Sequence, residues 1–249
     1  MINEKKIQEE FTEDSYRYFL KLAKQNFTFR YFSNAPLSTG EILWRHDVDV
    51  SPHRARAIAR IESELQVGST FFFRIRGADY SILDKEIREI INEILALGHE
   101  VGLHFEIEEN EQSQVDVLLS LDRDKRLFEL ISGIQPKVFS FHNPNPLMLS
   151  MKDSEYLDMI NAYSDKYFDL KKNEYASDSN GYWRFRNLSD VLLDSKSEKL
   201  QVLTHPEWWT PESLRPRDRI WRAHIGRAEN AHKRYIELLG TLGRSDSEK

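Results

Sequence analysis

The sequence predicts an α/β fold built on parallel strands, and two observations carry that expectation. From residue 41 onward, short apolar runs alternate with longer amphipathic stretches. Strands alternating with helices are joined by crossovers, and crossovers imply parallel pairing. The second observation is where the polar residues fall. Asp47 and Asp49, Arg74 and Arg76, His104, His142, Asp169 and His205 all stand at C-terminal ends of expected strands. In a parallel barrel those ends share one face, and catalytic groups gather there. Strand ends are also simply where polar residues begin, so any one position alone has that plainer explanation.

The elements follow in order. Residues 4–25 read as an amphipathic helix, with Ile7, Phe11, Tyr18 and Leu22 roughly on one face. Residues 26–40 carry Ser33, Asn34, Pro36 and Gly40 and read as an irregular link. Glu41–Trp44 begins the first strand, which ends in Arg45-His46-Asp47-Val48-Asp49. Ser51-Pro52 is an N-cap and first-turn pair for the helix marked by Ile58, Ile61 and Leu65. Residues 68–73 form the second strand. Asp84 starts a helix carrying Ile87, Ile90, Ile91, Ile94 and Leu95, and Gly98 closes it. Residues 100–104 form the third strand, a helix spans about 115–130, and residues 137–141 form the fourth strand. A helix is expected over 150–162, short strands at 167–170 and 182–185, and a last strand at 201–204. In the final helix, about 217–239, Trp221, Ile225, Ala228, His232 and Tyr235 recur at three- and four-residue steps. This divides the chain into an N-terminal helix and linker (1–40), a main domain (41–240) and a polar tail (241–249).

Composition narrows the function. The chain has 249 residues, 40% of them apolar and 12% aromatic, enough for a sizeable core. The net charge of −6 argues against a nucleic-acid binder. No run approaches 18 apolar residues, so no transmembrane helix is expected. The first twenty residues do not read as an export signal, which makes a cytoplasmic location the expectation. There is no cysteine, so disulfides, thiolate metal sites and cysteine nucleophiles are excluded. No GxGxxG or P-loop pattern follows the first strand.

The residue types at the strand ends suit metal-assisted hydrolysis. Two carboxylates two residues apart, Asp47 and Asp49, can divide the work between a base and a cation ligand. Asp49, His104 and one further group would make a borderline N/O site suited to Zn, Co, Mn or Fe. Pro206 sets the chain direction after His205, and Trp208-Trp209 offer flat apolar faces for a sugar ring or a pocket cover. His99 reads as structural, and His53, His224 and His232 as surface or packing residues on helices.

These motifs, in this order, resemble the polysaccharide deacetylase family, carbohydrate esterase family 4, over roughly residues 42–209. The likeness lies in Asp47-Val48-Asp49 within RHDVD, Ser69-Thr70-Phe71-Phe72, Gly98-His99-Glu100-Val101-Gly102-Leu103-His104, and Val202-Leu203-Thr204-His205. The resemblance implies a distorted (β/α) barrel of about seven strands. It implies a divalent metal, zinc first, and removal of an N-acyl group, acetyl or formyl, from an amino sugar. Asp47 takes the place of the general base, Asp49 and His104 those of metal ligands, and His205 that of the acid for the leaving amine.

Two departures stand out. The second ligand histidine of the family would fall on Glu108, leaving His142, Glu108 or water as third ligand, with His142 the better anchored. The arginine-containing motif is absent, and Arg45, Arg74 or Arg76 could replace it. Arg74, Arg76, Asn143, Trp208 and Trp209 are the candidate substrate-binding residues. A nucleotide- or lipid-linked sugar precursor is the expected partner. The rivals are a sugar-binding pseudo-enzyme, a haloacid-dehalogenase-type phosphatase suggested by DVDVS, and a glycosyltransferase using Asp-Val-Asp.

Overall fold

The computed structural model describes residues 11–34, 37–108, 112–168, 174–194 and 199–244. A single curled sheet runs through it, in strand order β6-β7-β5-β4-β3-β2-β9-β8. The strands are β1 (Thr28–Arg30), β2 (Glu41–Val48), β3 (Thr70–Phe73), β4 (Glu100–Phe105), β5 (Val138–Phe141), β6 (Glu155–Tyr156), β7 (Met159–Asn161), β8 (Glu174–Ser177) and β9 (Lys199–Thr204). Every described pairing is parallel except β6 with β7. With helices packed around it, the sheet forms a distorted (β/α) barrel, open between β6 and β8 among the described residues.

The helices are α1 (Glu13–Asn26), α2 (Pro52–Glu64), α3 (Lys85–Ala96), α4 (Gln114–Ser132), α5 (Pro146–Ser150), α6 (Leu188–Leu193) and α7 (Pro216–Thr241). Their ends follow local chemistry. Ser51 accepts the Arg54 N–H at the start of α2. Ser113 and Asp116 form a capping box on α4, and Gly133 closes that helix in the left-handed conformation. Asp84 takes the N-cap position of α3, but its side chain makes no capping hydrogen bond.

Several expected elements differ. The first helix starts at Glu13, capped by Thr12, and Phe11 lies before it at φ 45°. Ile7 and residues 4–10 lie outside the described residues. The link at 26–40 contains β1, whose register of Thr28 with Glu41 lays it beside the first half of β2. No helix covers 150–162. The chain instead turns through Leu157 and Asp158, both at positive φ, into the β6–β7 hairpin. Tyr167 stands in a turn and 182–185 is irregular; β8 at Glu174–Ser177 is the strand that flanks β9.

Alternation along each strand sends one set of side chains into the barrel and the other towards the helices. Phe32, Leu43, Phe72, Val138 and Tyr167 fill the barrel floor. Ile42, Trp44, Phe71, Phe73 and Val202 join the larger core beneath the helices. Gly102 is where two floor side chains need space: a Cβ there would lie 2.8 Å from both Phe72 and Val138. Gly102→Ala is therefore expected to destabilise the protein by about 1–3 kcal/mol through overpacking. A urea midpoint unchanged by this substitution would show that the floor has slack.

Candidate active site

Parallel register assembles the site. On β2, Arg45 and Asp47 point into the barrel, and His46 between them points to the helix side. His104 of β4 pairs in register with Ser140 of β5, so the two side chains are neighbours on the inner face. His142 follows two residues after Ser140 on that face. On the other side of β2, His46 pairs with Thr204, which brings His205 beside the end of β2. Tyr80 fixes that end: its hydroxyl donates to the Val48 carbonyl at 2.6 Å and accepts from the Arg74 N–H at 2.8 Å.

Asp49, His104 and His142 converge. Asp49 Oδ1 lies 3.0 Å from His104 Nε2 and 3.2 Å from His142 Nδ1, and the two nitrogens are 3.2 Å apart. This is the group among the described residues whose donor atoms could hold a metal ion. The residues fit one. Asp49 Oδ1 is buried without a well-directed hydrogen bond, although two ring nitrogens face it. A tetrahedral ion with bonds of about 2.0–2.1 Å needs donors about 3.3 Å apart, so the triangle has only to open slightly. Two imidazoles and one carboxylate make the borderline donor set that suits zinc, cobalt or iron. Burial pushes the Asp49 carboxyl up, but the imidazoles of His104 and His142, with His205 beyond, hold it well below the usual carboxylate range.

The surrounding contacts orient these groups. His104 Nδ1 lies 2.7 Å from Ser140 Oγ, and Ser140 Oγ donates to Asp47 Oδ1 at 3.4 Å. With the serine hydrogen committed to Asp47, Ser140 Oγ can accept from His104 Nδ1–H, which would leave Nε2 as the atom offered to a metal beside Asp49. The Asn143 side-chain amide meets His142 Nε2 at 2.9 Å, and Asn143 itself adopts a left-handed φ of 45°.

Asp47 is buried and does not bond to Asp49. Arg45, fully buried, donates to Asp47 Oδ2 at 3.0 Å and to the Tyr163 hydroxyl at 3.0 Å. Its guanidinium also lies over the Tyr163 ring, 4.8 Å from the centroid. Of the three candidate arginines, Arg45 is the one that reaches Asp47.

His205 stands across the cavity, its Nε2 3.8 Å from Asp49 Oδ2. Its Nδ1 hydrogen bonds Asp178 Oδ1 at 2.7 Å, and its backbone N–H donates to the same carboxylate. Burial pushes the His205 imidazole down, but the Asp178 carboxylate, with Asp49 and Glu207 nearby, raises it from 6.5 to about 10.

Sequence reasoning did not single out Asp178. Its signal lies in register: Ser177 pairs with Leu203, so the next residue must arrive beside Thr204 and His205. Glu207 was missed too. It lines the cavity and is buried with Oε2 unpartnered. Burial, with the charge of Asp49 nearby, pushes its carboxyl well above the usual range.

The cavity holds about 360 Å³ and is lined by Asp47, Asp49, His104, His142, His205 and Glu207, with Asn143, Tyr163, Arg184 and Trp208 on its walls. That volume suits a small organic ligand. Not every candidate substrate residue lies here. Arg74 and Arg76 face a neighbouring cleft, paired with Glu106 at 2.5 Å and Glu108 at 3.1 Å. Trp209 is fully buried, donates to Asp178 at 2.9 Å and packs among Phe11, Tyr16 and Phe19. Glu108 is held by Arg76 and Arg123, each at 3.1 Å. Asp169 lies outside the described residues. His99 is tied to the Ala59 carbonyl and Ser69, while His53 pairs with Glu86 and His224 with Asp79.

The chain is similar to several solved structures. An acetyl xylan esterase of family 4 from Clostridium thermocellum, solved with a cobalt ion, has 15% identity and a TM-score of 0.44 over 82% of this chain and 92% of its own. The peptidoglycan deacetylase PdaC from Bacillus subtilis has 16% identity and a TM-score of 0.42 over 84% and 98%. The likeness is to carbohydrate esterase family 4. It extends to a family 4 pseudoenzyme from Bacillus anthracis, at 16% identity and a TM-score of 0.43 over 79% and 65%. No family model matches the chain, and no curated protein does.

Proposed function

We propose that the protein is a metal-dependent hydrolase that removes an N-acyl group, acetyl or formyl, from an amino sugar. One observation carries this. Three strand-end donors, Asp49, His104 and His142, form a triangle in a single cavity, with a buried carboxylate on one side and an Asp-paired histidine on the other. Of these residues, Asp47, Asp49, His104 and His205 also carry the motif resemblance to the deacetylases, whereas His142 stands where the family pattern departs.

Asp49, His104 and His142 would hold the metal, and zinc is the ion we assign. A bound divalent ion supplies Lewis acidity for the acyl carbonyl and lowers the pKa of water. Asp47 accepts the proton of the attacking water; Arg45 and Ser140 fix where its carboxylate points. His205 delivers a proton to the departing nitrogen, because an amine leaves poorly as an anion. Asp178 keeps His205 protonated and turned towards the cavity. Trp208 offers a ring face to the sugar, and its indole N–H is a buried donor without a protein partner. No lysine lines the cavity among the described residues, as a haloacid-dehalogenase phosphatase would need.

Elemental analysis of the purified protein tests the centre. About one zinc per chain is expected, lost in Asp49→Ala, His104→Ala and His142→Ala, with acetate or formate released from N-acylated amino sugars by the native protein alone. Native protein that hydrolyses these substrates without metal would overturn the assignment. Stoichiometric metal with no acyl release from any amino sugar would favour a binding protein of the same fold.

A further inference from the structure

The longest helix, α7, contacts the rest of the protein through polar groups. His224 pairs with Asp79 at 2.8 Å, Arg227 donates to the Ala78 carbonyl, and Asn230 and Arg234 both reach Glu86. Ala223, Arg227, Asn230 and Arg234 thus define its inner face at steps of four, three and four residues.

A second stripe has the same period. Trp221, Ile225, Ala228, His232, Tyr235, Leu239 and Leu242 follow one another at alternating steps of four and three. This is the a/d heptad pattern of a helix that pairs with another helix. The stripe is offset by two residues from the inner face, about 200° around the helix, so it points away from the barrel. Trp221 is 66% exposed, Tyr235 57%, Leu242 55% and Ile225 38%. A helix that packed this face on its own core would have buried them.

We propose that this stripe is a dimer interface, occupied by α7 of a second copy of the chain running antiparallel. The side-chain sizes favour a second copy in that orientation. With a twofold axis level with position 230, on the side of the helix opposite the Asn230 side chain, Ala228 faces His232 of the other copy, Ile225 faces Tyr235 and Trp221 faces Leu239. Each layer sets a smaller side chain against a larger one, as close packing requires. Parallel pairing would stack Trp221, His232 and Tyr235 each on itself. The antiparallel pair is isologous and closes after two copies.

The area is sufficient. Aromatic side chains bury about 150–250 Å² each, so the exposed part of the stripe amounts to roughly 500 Å² per copy. Two copies then bury on the order of 1,000 Å², the lower bound for a specific interface.

Sedimentation equilibrium of the intact protein from about 1 to 100 μM tests the proposal. A dimer is expected, and the double variant W221E/Y235E is expected to be monomeric with unchanged metal content and melting temperature. Both positions lie on the face turned away from the barrel, so a monomer with unaltered melting separates lost pairing from lost folding. A native protein that stays monomeric throughout, or a double variant that stays dimeric, would overturn it. So would a monomer that co-floats with lipid vesicles through this helix. The chain lacks cysteine, so orientation can be read from introduced thiols. A mixture of A228C and H232C chains is expected to cross-link on oxidation. Efficient cross-linking of A228C chains alone would refute the antiparallel arrangement.

Discussion

Asp178→Asn is expected to slow acyl release by about 10²–10⁴-fold at pH 7–8, in line with the loss of a positioned proton carrier. The substitution keeps the side-chain volume and removes the charge. Asp178 Oδ1 would no longer hold His205 Nδ1–H as an ion pair, so the imidazole would be mostly neutral at working pH. A neutral imidazole has no proton to deliver to the departing amine. The amide also presents N–H groups where three donors, the His205 backbone, the His205 ring and the Trp209 indole, now converge on one carboxylate.

Two measurements separate this role from a merely structural one. In metal-free protein, NMR titration should place His205 near pH 10, falling towards 6.5 in Asp178→Asn. The stability curve should change as well. A histidine whose folded pKa is raised binds its proton more tightly when folded. Its contribution to stability is fully present below about pH 6.5 and is lost as pH rises through about 10. Asp178→Asn should therefore flatten the alkaline fall of stability between those values. A native His205 titrating near 6.5 would remove the physical basis for the acid role.

The largest loss of stability is expected at Glu62, far from substrate. Its carboxylate is fully buried beneath β2 and accepts from Tyr16 at 2.6 Å and Ser69 at 2.6 Å, with His46 Nε2 at 2.9 Å. His46 in turn meets Thr204 at 2.8 Å through Nδ1. The network joins α1, α2, β2 and β9 under the strands that carry the aspartates. Burial pushes the Glu62 carboxyl up, but His46, His99 and Ser69 more than offset this and keep it below its usual value.

Glu62→Ala removes the common acceptor and leaves several buried donors unpaired. A loss of about 3–5 kcal/mol is expected, or roughly 10 °C in melting temperature for a chain of this size. Glu62→Gln, which keeps an acceptor oxygen, should cost less. Urea denaturation of the three proteins distinguishes these outcomes. A Glu62→Ala protein within about 1 kcal/mol of native would show that water enters the network and satisfies it.

Much of the site was legible because strand ends are local features. Asp47, Asp49, His104, His142 and His205 each end an apolar run, and a parallel fold must bring such ends to one face. For the third donor the sequence offers His142, Glu108 or water and favours His142; the structure sets His142 beside Asp49 and turns Glu108 to two arginines. The helices with strong caps, α2 and α4, lie within a few residues of their expected bounds. The 150–162 region reads as a helix because its mixed polar and apolar residues carry no sign of the positive φ at Leu157 and Asp158 that makes it a hairpin.

The sequence by itself determined the alternation of strands and helices, the strand-end chemistry and the heptad stripe of α7, because periodicity and composition are properties of short windows. Tertiary structure alone decided that Arg45 serves Asp47, that Asp178 serves His205, and that of two adjacent tryptophans Trp208 lines the cavity while Trp209 is sealed in the core. Those pairings depend on strand register and on which side of the sheet a side chain leaves. Both are set by packing between residues more than a hundred positions apart, as where Arg45 meets Tyr163.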